Sequence, residues 1–144
     1  MQKYYLASDH AGYKLKDELK KHLESKGFEV IDLGPNTDAV SISYVDQGKK
    51  LGEAIMADPS SLGAAVCGTG IGISIALNKV AGIRAARIVS VEDAHLCKQH
   101  NDANVVVFGG RQLTTEQAIE MIDEFNATEF EGGRHLERVE QLNQ

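Results

Sequence analysis

Residues 62–82 read LGAAVCGTGIGISIALNKVAG. The first six, LGAAVC, are a short continuous apolar run of the kind that fills a buried strand. Residues 71–81, IGISIALNKVA, are apolar nearly all round a helix, and Gly82 stops them. Between the two, Gly68, Gly70 and Gly72 stand at alternate positions beside Cys67. Strand, glycine turn and helix make one half of a parallel crossover unit, and that reading sets the class of the whole fold.

The turn itself admits three readings. It can be a tight turn beside a buried cysteine, since free cysteines are often buried. It can be a dinucleotide fingerprint, but the third glycine of that motif would fall on Ile73. The first strand-to-helix turn, SDHAGYK, lacks the pattern too, and Glu92 alone matches the ribose-binding acid. The third reading is a nest for negative charge. Gly68, Thr69, Gly70 and Gly72 let backbone N–H groups converge at a helix N-terminus. Cys67 stands at its edge, where thiols are more readily ionised.

Outward from this unit the chain alternates strand and helix. Residues 4–8 (YYLAS) form a first strand, and Leu15, Leu19, His22 and Leu23 mark a helix closed by Gly27. A strand at 28–33 (FEVIDL) is broken by GPNTD. Val45, Gly48, Leu51, Gly52 and Ile55 then lie on a helix over 44–57, ending before Pro59. After the central unit come a strand at 83–89, a helix opened by a Ser90/Asp93 capping box, and a buried strand at 104–109. Thr114 and Gln117 open a helix whose apolar face carries Ala118, Met121, Ile122 and Phe125, and a polar helix begins near Arg134. Five strands alternating with helices predict an α/β fold, three-layer α/β/α and Rossmann-like, with a five-stranded parallel sheet covered on both faces. Ligands in such sheets sit outside the carboxyl ends of the strands. This nominates the turns Ser8–Gly12, Cys67–Gly72, Ser90–Asp93 and Gly109–Arg111. A helix as apolar as 71–81 is expected to be covered on its outer side by a second subunit, with Leu77 in that contact.

With 144 residues, 42% hydrophobic and 25% charged, the chain has the size and composition of one soluble domain, taken as residues 1–144. The net charge is −6 and the basic residues are scattered, so no nucleic-acid partner is expected. No apolar run reaches the roughly 20 residues of a membrane helix. MQKYYLASDHAG turns polar too early for a signal peptide, so no membrane partner and a cytoplasmic location are expected. Cys67 and Cys97 are then reduced thiols, and Cys97 reads as core filler.

Other polar clusters each carry a bland reading beside the sharp one. Asp9 and His10 stand at the end of the first strand, where Asp9 is also an ordinary helix N-cap. His100, in HND (100–102), suits a helix C-terminus. His95, Cys97 and His100 point in different directions on a helix, so they do not converge on a metal. Arg134 and Arg138, one helical turn apart in GGRHLER, can grip a phosphate or can be solvated beside Glu131, Glu137 and Glu140.

Together the blocks SDHAG, CGTGIGISIALNKVAGIRAA, HNDANVVVFGGR and EGGRHLERV, in this order and spacing, resemble the type B ribose-5-phosphate isomerase family. Its wider circle acts on allose and galactose 6-phosphates, and the resemblance spans nearly the whole chain. It implies a strand order of 2-1-3-5-4. Cys67 is implied as the base that moves a proton between C1 and C2. Thr69 helps the glycine turn hold the oxyanion, and His100 is implied as the acid/base that opens the furanose ring. Asp9, His10, Gly68, Gly70, Ile71, Gly72, Asn101, Arg111, Arg134 and Arg138 fall on ligand-binding positions. No metal and no cofactor are implied. The partner is a sugar phosphate, and the assembly a homodimer, or a tetramer, whose active sites are shared between subunits.

One departure stands out. The family usually has Asp-Tyr-Pro where this chain has Ser43-Tyr44-Val45. The loss of proline removes a favoured first helical residue, and substrate choice between pentose and hexose phosphates can shift with it. A hexose-6-phosphate isomerase is the neighbouring alternative, and a phosphosugar-binding module without turnover is the alternative of another class. A receiver module is excluded, because Cys67 and Gly109–Arg111 occupy the strand ends where its acid and lysine belong.

Overall fold

A computed structural model describes residues 2–144. The strands are β1 (Lys3–Ser8), β2 (Glu29–Asp32), β3 (Leu62–Cys67), β4 (Ala85–Arg87) and β5 (Val105–Gly109). They are joined by α1 (Tyr13–Ser25), α2 (Tyr44–Met56), α3 (Ile71–Asn78) and α4 (Val91–Gln99), and α5 (Thr115–Ala127) and α6 (His135–Leu142) follow. All pairings are parallel, in the order β2-β1-β3-β5-β4, as the resemblance implied. Registers Ser8↔Val66 and Cys67↔Gly109 bring the ends of β1, β3 and β5 level, so their exit turns share one edge.

Strand alternation divides the core into two. Tyr4, Leu6, Val66, Val106 and Phe108 face one side, with Leu19 of α1 and Phe125 of α5. Ala7, Ala65, Cys67, Val105 and Val107 face the other, with Leu51 and Ile55 of α2 and Ile73 and Leu77 of α3. Successive residues of a strand point to opposite faces, so Val66 and Cys67 belong to different cores. Helices α2 and α3 meet closely. A Cβ on Gly48 would lie 2.9 Å from the Ala76 Cβ, and one on Gly52 would lie 2.9 Å from a Val80 methyl.

The helix starts follow the capping chemistry. Thr114 and Gln117 form both arms of the expected box. Ser90 accepts from Asp93 N–H, but the returning arm of Asp93 reaches Val89 N–H at 3.1 Å instead of Ser90. Ser43 caps α2 by accepting from Val45 N–H, so the residue that departs from the family pattern still starts the helix. Two spans are shorter than expected. α3 ends at Asn78, whose side chain turns to bond both the N–H and the carbonyl of Ala85. β4 keeps only three residues, because it is an edge strand with one neighbour.

The expectation for Leu77 needs correction. Leu77 is fully buried within its own chain, whereas Ile71 and Ile75 of α3 are 48% and 57% exposed. The outward face of α3 is thus the Ile71/Ile75 face, continued by exposed Tyr44 and Val45.

Lys16 was not marked by the Lys/Glu-rich stretch around it, yet it is completely buried. Its ammonium donates to both carboxylate oxygens of Asp32, at 2.6 and 2.7 Å, and to the Pro35 carbonyl at 2.8 Å. All three donors are therefore satisfied. The pair ties α1 to the end of β2 and to the loop that leads to α2. Removing one partner of a buried pair strands the other. Asp32 keeps 20% of its side chain exposed, which places the cost at the low end of the range. Lys16→Ala should therefore lose about 3 kcal/mol in urea unfolding; a loss within experimental error would mean that the loop holds without the lysine.

Candidate active site

At the end of β3 the chain turns sharply. Gly70 sits at φ +80°, which a side chain tolerates poorly, and a Cβ there would also press the Phe108 carbonyl at 3.1 Å. The turn brings Gly70 N–H to 3.2 Å from Cys67 Sγ, which accepts it. Thr69 Oγ1 accepts from Ile71 N–H at 3.1 Å, the first free amide of α3. The neighbouring exit turn is stitched on by Gly110 N–H to the Cys67 carbonyl and Arg111 N–H to the Gly68 carbonyl. The Arg111 guanidinium lies across Gly68, where a Cβ would meet it at 2.9 Å. Likewise the Tyr44 ring lies on Gly72, 2.5 Å from the position of a Cβ. These glycines are close-approach positions for side chains as well as turn formers.

A cleft of about 450 Å³ opens above this turn, lined by Asp9, Tyr44, Cys67, Gly68, Thr69, Ile71, Gly72, Ile75 and Arg111. Asp9 accepts from Gly12 N–H at 3.0 Å, so it is both the expected N-cap and a wall of the cleft. His10 accepts Ile42 N–H on Nδ1 at 3.2 Å. A neutral His10 ring in that contact carries its proton on Nε2 and presents a donor there. Arg111 forms no ion pair with a carboxylate among the described residues. One uncompensated guanidinium beside converging amides favours an anion.

The remaining candidates lie elsewhere in the chain. α4 runs from the carboxyl end of β4 back to the amino end of β5, so its C-cap, His100, stands at the opposite sheet edge from Cys67. The five residues of β5 alone separate the two edges by about 15 Å. His100 stacks on His135, with ring centroids 4.4 Å apart and an angle of 15°. Asn101 faces a separate cleft of about 330 Å³ with Arg84 and Leu142. Arg138 donates to the Arg134 carbonyl, and neither arginine forms an ion pair among the described residues. The sequence candidates thus form two groups. Asp9, His10, Cys67, Gly68, Thr69, Gly70, Ile71, Gly72 and Arg111 share one edge. His100, Asn101, Arg134 and Arg138 do not join them within one chain, because the α4 crossover carries His100 away. Inside a single protomer, the ligand-binding candidates Arg111 and His10 therefore do not come together with Arg134 and Arg138.

Three residues escaped the sequence reading. Arg87 donates to the Thr69 carbonyl at 2.9 Å and to Gln112 at 2.9 Å, bracing the turn from β4. Lys16 holds the loop before α2. His135 lay in the quoted GGRHLER block, and its spacing of four from Glu131 was the available signal.

A parallel sheet with a thiol, a glycine turn at a helix N-terminus and an unpaired arginine at its carboxyl edge places this chain among the small α/β proteins whose ligand clefts lie outside that edge. The profile of the Ribose/Galactose Isomerase family matches residues 4–142, and the chain belongs to that family. It is 45% identical over 135 residues to a probable ribose-5-phosphate isomerase B of Mycoplasma pneumoniae, covering 94% of this chain and 89% of that one. With the ribose-5-phosphate isomerase B of Escherichia coli it shares 40% identity over 142 residues, covering 99% and 95%. The crystal structure of ribose-5-phosphate isomerase B from Mycoplasma genitalium with bound ribulose 5-phosphate superposes with a TM-score of 0.94 at 38% identity, covering 98% and 93% of the two chains.

The two thiols should differ in chemistry. Cys97 is enclosed in the core, and burial pushes its ionisation up to about 11. Cys67 lines the cleft. Iodoacetamide at pH 7.5 should label Cys67 first, and sugar phosphate or inorganic phosphate should slow that labelling, as peptide mass mapping would reveal. Both thiols are buried, with 4% of Cys67 and 8% of Cys97 exposed, so equal labelling would count against any special reactivity of the thiol that borders the cleft.

Proposed function

We propose that this chain is a ribose-5-phosphate isomerase, interconverting ribose 5-phosphate and ribulose 5-phosphate through an enediolate. The observation that carries the reading is the Cys67 thiol set 3.2 Å from Gly70 N–H in a cleft that also holds Asp9, Thr69 and Arg111. Nearly full-length similarity to ribose-5-phosphate isomerases B supports the substrate.

Aldose–ketose isomerisation requires a base to take the proton from C2 of the open-chain aldose and deliver it to C1. Meanwhile the oxygens on C1 and C2 exchange a hydroxyl for a carbonyl. Cys67 is the base. Negative charge develops on oxygen during the transfer. The turn amides not already bonded to Cys67 Sγ or Thr69 Oγ1, with the Thr69 hydroxyl, are donors fixed before the reaction, which is where electrostatic stabilisation is most effective. His100 moves the proton at the ring oxygen when the furanose opens. Arg111, Arg134, Arg138 and His10 bind phosphate, and Asp9 and Asn101 hold sugar hydroxyls. Binding energy from the phosphate, remote from C1 and C2, then orients the reacting carbons.

This division of labour requires a second copy. His100, Asn101, Arg134 and Arg138 reach the Cys67 cleft only from a partner chain, in a homodimer with shared sites. The exposed apolar face of Ile71, Ile75, Tyr44 and Val45 beside the cleft supports such a contact. Free thiols at Cys67 and Cys97 fit a reducing, cytoplasmic setting.

The primary test is an isomerase assay on ribose, allose and galactose phosphates with a chelator present; turnover of allose 6-phosphate but not ribose 5-phosphate would replace the pentose reading with a hexose one. Cys67→Ala should lower kcat on the order of 10²–10⁴-fold and stop solvent deuterium from entering at C1 or C2. Full activity in that variant would remove the thiol from the chemistry.

Arg138→Ala should raise KM about 10- to 100-fold with a smaller change in kcat. Ile75→Lys should place a charge on the outward face of α3, giving a monomer by light scattering that has lost activity. An active monomer would overturn the shared site, and Leu77→Lys would test only folding.

A further inference from the structure

We infer that His100, Glu131 and His135 form a binding site for a divalent transition-metal ion of the zinc type. The ion takes no part in the isomerisation proposed above; it would act by taking His100 out of service. Two imidazoles and one carboxylate are a ligand set that zinc accepts, with a remaining position for water. One ligand atom from each residue lies within 4.8 Å of the others, and the His135 Nε2 to Glu131 Oε2 separation is 3.8 Å. Zinc bonds of about 2.0–2.1 Å place tetrahedral ligand atoms roughly 3.3 Å apart, so small side-chain rotations close the triangle.

The cluster is built by the backbone, not gathered by chance on a surface. Glu131 N–H donates to the Gln99 carbonyl at 2.9 Å, which pins the chain after α5 to the end of α4, next to His100. Gly132 and Gly133 then take positive φ values of 72° and 56°, turning the chain so that α6 opens with His135 one turn beyond Glu131. The result stacks the His135 ring on His100. His135 has only 13% of its side chain exposed, while Glu131 is exposed and free to swing inward.

Metals bind imidazole through an unprotonated nitrogen. An imidazole of ordinary basicity, about 6.5, offers that lone pair at neutral pH. The ion displaces one weak contact, from Arg134 Nε to His135 Nε2 at 3.3 Å. Glu131 supplies the negative charge that offsets that arginine. The remaining three histidines are occupied differently, His10 with Ile42 N–H, His22 with Asp123 and His95 with Glu124.

Binding follows from the geometry alone, whereas inhibition rests on the role of His100 proposed above. The test uses the full chain in chelator-stripped buffer, with Zn²⁺ in calorimetry and Co²⁺ as a spectroscopic probe of coordination. One ion per chain is expected, with tetrahedral cobalt absorption. Glu131→Gln and His135→Gln should each weaken it by more than the roughly 10–100-fold that loss of a supporting contact costs a metal site. His95→Gln should leave it unchanged. No saturable binding, or binding that survives both variants at the cluster, or loss of binding in His95→Gln, overturns the site. Zinc should also inhibit the isomerase reversibly by chelator. An ion that binds through the cluster without slowing turnover supports the site and overturns the acid/base role given to His100.

Discussion

The exit of β3 is the constraint on which the rest of this structure depends. β3 is the central strand, hydrogen-bonded on both sides, so its end cannot move without moving β1 and β5. There the chain must reverse into α3 within three residues while a second exit turn, from β5, crosses in front of it. Only a glycine at the left-handed Gly70 position and bare backbone at Gly109, where a Cβ would sit 2.7 Å from the Thr69 carbonyl, allow both turns to coexist. Once they do, Gly70 N–H faces the Cys67 sulfur, the first amide of α3 faces the Thr69 hydroxyl, and Arg111 lies across Gly68. With those two amides bonded to the sulfur and the hydroxyl, the turn holds its shape before any ligand arrives.

The same parallel topology that builds this edge also divides the machinery. A parallel crossover must return each helix from the carboxyl edge to the amino edge before the next strand begins. α4 obeys that rule, and it delivers His100 and Asn101 to the edge opposite Cys67. The segment after α5 follows, because Glu131 N–H binds the end of α4 and sets α6, with Arg134 and Arg138, on the same side. The candidate residues therefore fall into two groups, one with the thiol and the glycine turn, the other with imidazoles and arginines. In the function proposed above, pairing of two copies brings the two groups together.

The histidine pair gives the second group a character of its own. The two rings stack 4.4 Å apart, and burial, followed by the neighbouring His100, holds His135 below its ordinary value. A neutral His135 beside His100 can take part in proton movement or accept a soft cation, depending on what Glu131 does. The chemistry of this corner is thus set by a backbone contact, Glu131 N–H to Gln99, more than by any single side chain.

Much of this was legible in the order of the residues. The continuous apolar run ending at Cys67, the glycines after it and the repeated alternation of strands with helical stripes dictated a parallel α/β sheet, since each signal is local and reflects strand or helix geometry. Gly68, Gly70 and Gly72 announced a close approach of backbone, and Thr114 with Gln117 announced a helix start, because capping also acts within a few residues. Three other features were decided only by tertiary structure. Lys16 became a buried tie because Asp32 and Pro35 are brought to it across the sheet edge. Leu77 turned inward while Ile71 and Ile75 turned outward, because a helix apolar all round does not say which side meets its own sheet. His100 and Cys67 landed at opposite edges because direction along a crossover belongs to the assembled sheet. Local sequence fixes which chemistry each turn carries; long-range packing fixes which turns share an edge.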